Sequence, residues 1–277
     1  MTLDRFRSAN RIHWNERAEF NLRTWDVEGF LADPGRLSKM VEADRHEVGE
    51  VRGRSLIHLQ CHFGLDTLSW ARLGAEVTGV DFAPGAIAAA IDLAKRAGLH
   101  ARFVEADVYR TPAAVRDAFD IVYTSGGVLC WLPDISGWAS VVSELLKPGG
   151  TFYIHEAHPV LWALEDERAD DQLVIGRPYF ATLQPKRWDD DPLWDEGRPR
   201  LPHMTCYEWS HGLGEIVSAL IDCGLTIRSL KEHRRCLWQP LRFMVPDSQG
   251  WWRLPEGSER LPLMYSIRAS KKLTAPA

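Results

Sequence analysis

Between residues 55 and 155 short apolar runs alternate with helical stretches, and no other feature of the chain constrains its fold as much. Residues 55–60, 76–80, 101–104, 119–124 and 151–155 have the length and apolar content of buried strands. Residues 65–73, 85–97 and 136–146 read as helices between them. Pro84 stands where the first turn of a helix tolerates proline, Gly98 is a natural helix stop, and Lys147-Pro148-Gly149-Gly150 ends the next helix. Strands spaced by helices imply crossovers, hence a parallel sheet covered on both faces, with ligands at the carboxyl ends of its strands.

The pattern lapses at residues 158–207 and then resumes. A helix at 212–222, stopped by Cys223-Gly224, precedes strands at 225–232 and 261–269, and these predict an antiparallel end to the sheet. The expected fold class is α/β, a doubly wound, mostly parallel, seven-stranded sheet with an inserted lid segment. Residues 1–54 read as an N-terminal helical cap of one or two helices, 55–157 as the cofactor-binding core, 158–207 as the insert, and 208–277 as the completion of the sheet. The insert holds six prolines, the acidic run Asp189-Asp190-Asp191, and the aromatics Trp162, Tyr179, Phe180, Trp188 and Trp194. Connections in a compact domain usually run about 4–6 residues, so this stretch predicts a lid or extra hairpin over the functional site.

Composition removes several function classes. A net charge of −5 supplies no global positive field to recruit nucleic acid. No stretch approaches the roughly 20 apolar residues that span a bilayer, and the first ten residues lack the apolar run of a signal peptide. Cys61, Cys130, Cys206, Cys223 and Cys236 are odd in number and scattered, which favours reduced thiols in a cytosol over disulfides or a zinc site. Twelve tryptophans exceed what packing alone needs and suggest an aromatic-lined pocket for a small molecule. Nothing in the sequence specifies an oligomeric state.

The chemistry is concentrated in four turns. Leu56-Ile57-His58-Leu59-Gln60-Cys61-His62-Phe63-Gly64-Leu65-Asp66-Thr67 runs from a buried strand through a tight turn into a helix, whose first N–H groups and dipole suit a polar or anionic ligand. Seventeen residues after Gly64, Asp81 ends the next strand, where a carboxylate can accept both hydroxyls of a ribose. After the third strand, Asp107 can accept from an adenine amino group while Val108 covers a ring face. The fourth strand opens at Ser125-Gly126-Gly127 into a glycine-rich turn. Each residue has a plainer reading: Asp81 or Asp107 as a helix cap, Gly64 as a turn with positive φ, and Trp14 or Trp131 as core packing.

In motif order and spacing, residues 55–156 resemble the class I S-adenosylmethionine-dependent methyltransferases. Those enzymes usually begin with Asp-x-Gly-x-Gly-x-Gly after the first strand. Here His58 stands for the acidic residue, Gln60 and His62 for the first two glycines, and only Gly64 is retained. The Leu-Gln-Cys-His-x-Gly-x-Asp-Thr form, with Gly79-Val80-Asp81-Phe82 and Trp131-Leu132-Pro133-Asp134, is similar to a bacterial subgroup acting on small molecules. The resemblance implies S-adenosylmethionine as cofactor, held by Gln60, Cys61, His62, Gly64, Asp81, Phe82, Asp107, Val108 and Ser125. Trp14 resembles a residue of the N-terminal helix that caps the cofactor in such enzymes. The implied reaction is in-line methyl transfer to a small apolar or aromatic metabolite, with neither nucleic acid nor membrane as partner. A nicotinamide-dependent oxidoreductase would share the first turn and Asp81, and a non-catalytic cofactor-binding regulator would share the altered glycines.

His155-Glu156-Ala157-His158 follows the fifth strand, at the edge where an acceptor would meet the methyl group. His158 is the candidate general base, because an unperturbed imidazole titrates near neutrality. His155 and Glu156 are the other catalytic candidates, although successive strand residues point to opposite faces. Two histidines and a carboxylate also suit a divalent ion, though no metal is expected. A second set, His203, Tyr207, Glu208, Trp209 and His211, lies at the return from the insert.

Overall fold

Ser55–Leu59 (β1) lies in the interior of the sheet, with four of its five residues buried, as a strand covered on both faces must be. The computed structural model describes residues 2–273 apart from 167, 169, 190–202 and 204. The N-terminal part forms α1 (Thr2–Thr24), α2 (Val27–Ala32) and α3 (Lys39–Val48). Three helices form where one or two were expected, because Asp26 and Ser38 each cap a new one by accepting a backbone N–H.

After β1 come α4 (Leu65–Arg72), β2 (Glu76–Asp81), α5 (Pro84–Ala97), β3 (Arg102–Glu105), α6 (Thr111–Val115), β4 (Phe119–Ser125), α7 (Ile135–Leu145) and β5 (Leu146–Ala157). Pro84 opens α5, and Gly98 ends it in the left-handed conformation at φ 65°. The insert begins with α8 (Pro159–Trp162), and α9 (Leu213–Asp222), β6 (Leu225–His233) and β7 (Met264–Lys271) complete the core. The order across the sheet is β3-β2-β1-β4-β5-β7-β6, with β7 antiparallel to both its neighbours.

One face packs Ile57, Leu59, Val122 and Ile154 against Ile135, Trp138 and Val142 of α7 and Ile216 and Leu220 of α9. The other packs Leu56, Ile121 and Tyr123 against Val41 and Val48 of α3 and Trp70 of α4. Burying such side chains stabilises the fold by about 1.5–3 kcal/mol each. Two small sheets lie outside this core. Lys186–Trp188 pairs antiparallel with Cys206–Glu208, which closes part of the insert into a hairpin. Trp194, expected among the insert's aromatics, and Asp190 and Asp191 lie outside the described residues. Arg235–Cys236, Trp252–Arg253 and Val245–Pro246 form a three-stranded sheet on a second hydrophobic cluster that includes Met40, Leu161 and Trp251.

Candidate functional site

The carboxyl ends of β1, β2 and β4 open into one cavity of about 1370 Å³, which α1, the start of α3, the insert and the loop after residue 236 also line. Its floor is the turn after β1. Gln60 and His62 adopt φ of 56° and 52° and Gly64 φ of 79°, so all three positions of the glycine pattern are left-handed. Non-glycine residues in that region cost about 1–3 kcal/mol each, and contacts must offset it. The Gln60 amide donates to the Val128 carbonyl at 3.1 Å. His62 Nε2 sits 2.9 Å from Asn21 Nδ2, and its ring packs edge-on to Trp14, Trp25 and Phe63. Gly64 has no such freedom, since a Cβ there would lie 2.7 Å from the Phe103 ring.

Asp81 is not the cap of α5, a position held by Ala83. Its Oδ2 accepts from His62 N and its Oδ1 from Ala83 N, both at 2.9 Å. Each carboxylate oxygen has a further lone pair. Burial pushes its carboxyl up to about 6. Asp107 caps the short turn Val108–Arg110 through Tyr109 N and pairs with Arg7 of α1. Phe82 lends its carbonyl to Arg11, and Ser125 Oγ donates to Asp66 Oδ2 at 3.0 Å. Burial raises the Cys61 thiol well above its ordinary range, so it stays protonated. All of Trp14, Gln60, Cys61, His62, Gly64, Asp81, Phe82, Asp107, Val108 and Ser125 line this single cavity.

The three residues expected at the end of β5 are not among those lining it. His155 Nδ1 lies 2.6 Å from Asp44, whose buried carboxylate also accepts from Tyr123 and Tyr153. Glu156 points to the opposite face and accepts from Val128 N at 2.7 Å, Leu129 N at 3.2 Å and Ala157 N. Burial raises its carboxyl. His158 Nδ1 accepts from Val160 N, and its Nε2 is 3.0 Å from Glu232, on the side where β7 and β6 pair. Burial lowers its imidazole, with Glu232 opposing. The three side chains therefore diverge, as strand alternation requires.

The second set is also dispersed. His203 pairs with Glu16, Tyr207 binds Asn10 through its backbone, and His211 Nε2 sits 2.7 Å from the Leu132 carbonyl. Trp209 N donates to the Cys130 carbonyl. Glu208 is half-buried, its carboxyl pushed up to about 7 by desolvation, and accepts from Trp188 Nε1 at 2.7 Å. Among the described residues no cluster of His, Cys, Asp and Glu is placed to hold a metal, and no helix is long and apolar enough to cross a membrane.

Sequence reasoning missed much of the cavity wall. Trp252 reaches it from the small C-terminal sheet and Trp238 and Gln239 from the loop after its first strand, and two-residue strands are too short to leave a periodic signal. His58 and Asp66 also line it, and both stood inside the first motif.

A doubly wound sheet with an acidic residue at the end of β2, facing a cavity at the carboxyl ends of its strands, defines a protein for an adenosine-bearing cofactor. Residues 57–154 match the family described as a methyltransferase domain. Across 190 residues, 66% of this chain and 74% of the relative, it is 27% identical to the ubiquinone biosynthesis O-methyltransferase of Cronobacter sakazakii. The solved S-adenosylmethionine-dependent methyltransferase of Mesorhizobium loti superposes with a TM-score of 0.60 at 22% identity, over 83% of this chain and 96% of that one. A glycopeptide N-methyltransferase solved with S-adenosylmethionine gives a TM-score of 0.51 at 18% identity, over 84% and 92%. Residues 57–154 are therefore a methyltransferase domain of the class I S-adenosylmethionine-dependent kind, and S-adenosylmethionine is its cofactor.

Proposed function

We propose that the enzyme methylates a small apolar or aromatic acceptor held beside the cofactor in the tryptophan-lined half of the cavity. One observation carries this reading: Trp131, Trp188, Trp238 and Trp252 wall the same cavity as Asp81 and Asp107. A single-ligand pocket is typically about 300–1,000 Å³, so a cavity of about 1370 Å³ has room for a second small molecule. The relatives' name speaks of O-methylation, which supports an oxygen nucleophile.

In this reading Asp81 takes the ribose hydroxyls, Val108 and Phe82 cover the adenine, and Asp107 takes its amino group once Arg7 yields. When bound, S-adenosylmethionine supplies an electrophilic methyl carbon on its sulfonium. The chain's own task is then placement and dryness. The Ser125-Gly126-Gly127 turn, held by Glu156 through Val128 and Leu129, sets the floor between the two halves. The aromatic wall orients a flat acceptor and excludes water, and most of the barrier lowering in such a displacement comes from that orientation.

The test is transfer of labelled methyl from S-adenosylmethionine to a panel of phenols, catechols and hydroxylated heteroaromatics, with protein and RNA as controls. Methylation of small aromatics alone is expected. Labelling of protein or RNA in preference to every small acceptor overturns the proposal.

A further inference from the structure

His58 occupies the position at the end of β1 where the resemblance calls for an acidic residue, and it is fully buried beside the cavity it lines. Its Nδ1 is fixed 2.9 Å from Thr67 Oγ1, in the first turn of α4. Its Nε2 has no hydrogen-bond partner. Burial holds the imidazole far below its ordinary range, at about 3, so the ring is neutral and one nitrogen carries a lone pair. A buried polar atom without a partner costs about 1–3 kcal/mol, and a ligand that satisfies it recovers that cost.

One residue before Thr67, Asp66 lines the same cavity. Its Oδ2 accepts from Ser125 Oγ at 3.0 Å, and the Ser38 hydroxyl also bonds this carboxylate. Neither donor carries a charge. No cation is paired with Asp66 among the described salt bridges, so the partly buried carboxylate has no positive partner there. A neutral ring lone pair and a carboxylate without a charged partner, both on the wall of one cavity, together call for a donor bearing positive charge.

We infer that His58 Nε2 and Asp66 hold the α-ammonium group of the cofactor's methionine end. The ammonium has three donors, enough for His58, Asp66 and one further acceptor. In the tautomer that donates Nδ1–H to Thr67 Oγ1, Nε2 is the acceptor, and the assignment requires that tautomer. The assignment concerns the cofactor and is independent of which acceptor is methylated.

Binding measurements by calorimetry test it without turnover. Wild-type protein should bind S-adenosylhomocysteine about 10- to 100-fold more tightly than its deaminated analogue, which keeps the carboxylate and lacks the amine. Asp66→Asn should weaken S-adenosylhomocysteine by a similar factor. It should leave 5′-methylthioadenosine, which lacks the whole amino-acid end, within about twofold of wild type. The double variant Asp66→Asn with His58→Asp returns a carboxylate to the wall and should restore S-adenosylhomocysteine binding. Equal wild-type affinity for the amine-bearing and deaminated ligands overturns the inference, as does equal weakening of both adenosine ligands by Asp66→Asn.

Discussion

Asp81 accepts the backbone N–H of His62 at 2.9 Å, so the carboxylate that ends β2 also holds the turn that follows β1. The bond anchors His62 in a left-handed conformation that an L-residue rarely adopts. It also brings a buried negative charge to the centre of the cavity floor. Turn geometry and ligand chemistry are thus joined in one side chain, and the two can be separated by substitution.

Asp81→Asn keeps one acceptor oxygen but loses the charge and one of the two backbone bonds. Affinity for S-adenosylhomocysteine should fall by about 2–3 kcal/mol, while the melting temperature drops only modestly. Calorimetry beside thermal denaturation checks this. Normal affinity with a lowered melting temperature would make Asp81 a structural residue alone.

Asp66 and Asp81 are both raised to about 6 by burial, against an ordinary value of 3.8. Between roughly pH 4 and 6 these two groups hold more protons in the folded protein than in the unfolded chain. Their own contribution to stability should fall as pH rises through that window, opposed by His13, His58, His62 and His233, which burial lowers. Cofactor binding carries the opposite sign, because an ammonium and ribose hydroxyls need the ionised forms. Affinity should be full above about pH 7 and weaken up to tenfold per pH unit and per group below 6. A dissociation constant that does not change between pH 5 and 8 would contradict it.

Trp238 packs near-parallel to Trp162 and contributes to the cavity wall, on the half assigned to the acceptor. Trp238→Ala should raise the KM for an aromatic acceptor about tenfold, as loss of one stacking surface predicts. S-adenosylhomocysteine affinity should stay within about twofold. A change in cofactor affinity alone would move Trp238 to the other half.

His158→Ala should reduce kcat by less than about threefold and leave its pH profile in place, because His158 faces Glu232 rather than the cavity. A general base in the transfer would instead lose about 10²–10⁴-fold together with the acid limb of the profile. Steady-state rates from pH 6 to 9 decide between these outcomes.

Gly64→Ala places a methyl group 2.7 Å from Phe103 at a φ of 79°. Strain and overpacking should together destabilise the fold by about 2–4 kcal/mol, read as a lowered urea midpoint. A midpoint within experimental error of wild type would mean that the turn reorganises freely.

The alternation of apolar runs with helices determined the sheet and its crossovers, because period and punctuation are local properties that the chain carries in its order. Ten expected cofactor residues meet in one cavity for a related reason. Each follows directly from a strand end or from α1, and parallel strands align their carboxyl ends. Alternation also told that His155 and Glu156 face opposite ways. Which way each faces was decided only when Asp44 of α3 reached His155 and the Val128-Leu129 backbone reached Glu156. The aromatic wall at Trp238 and Trp252 depends likewise on two-residue strands held by distant packing on Met40 and Leu161. Contacts between residues so far apart in the chain have no local signature. Strand ends and turns were legible in the sequence, while the partners of each buried polar group required the fold.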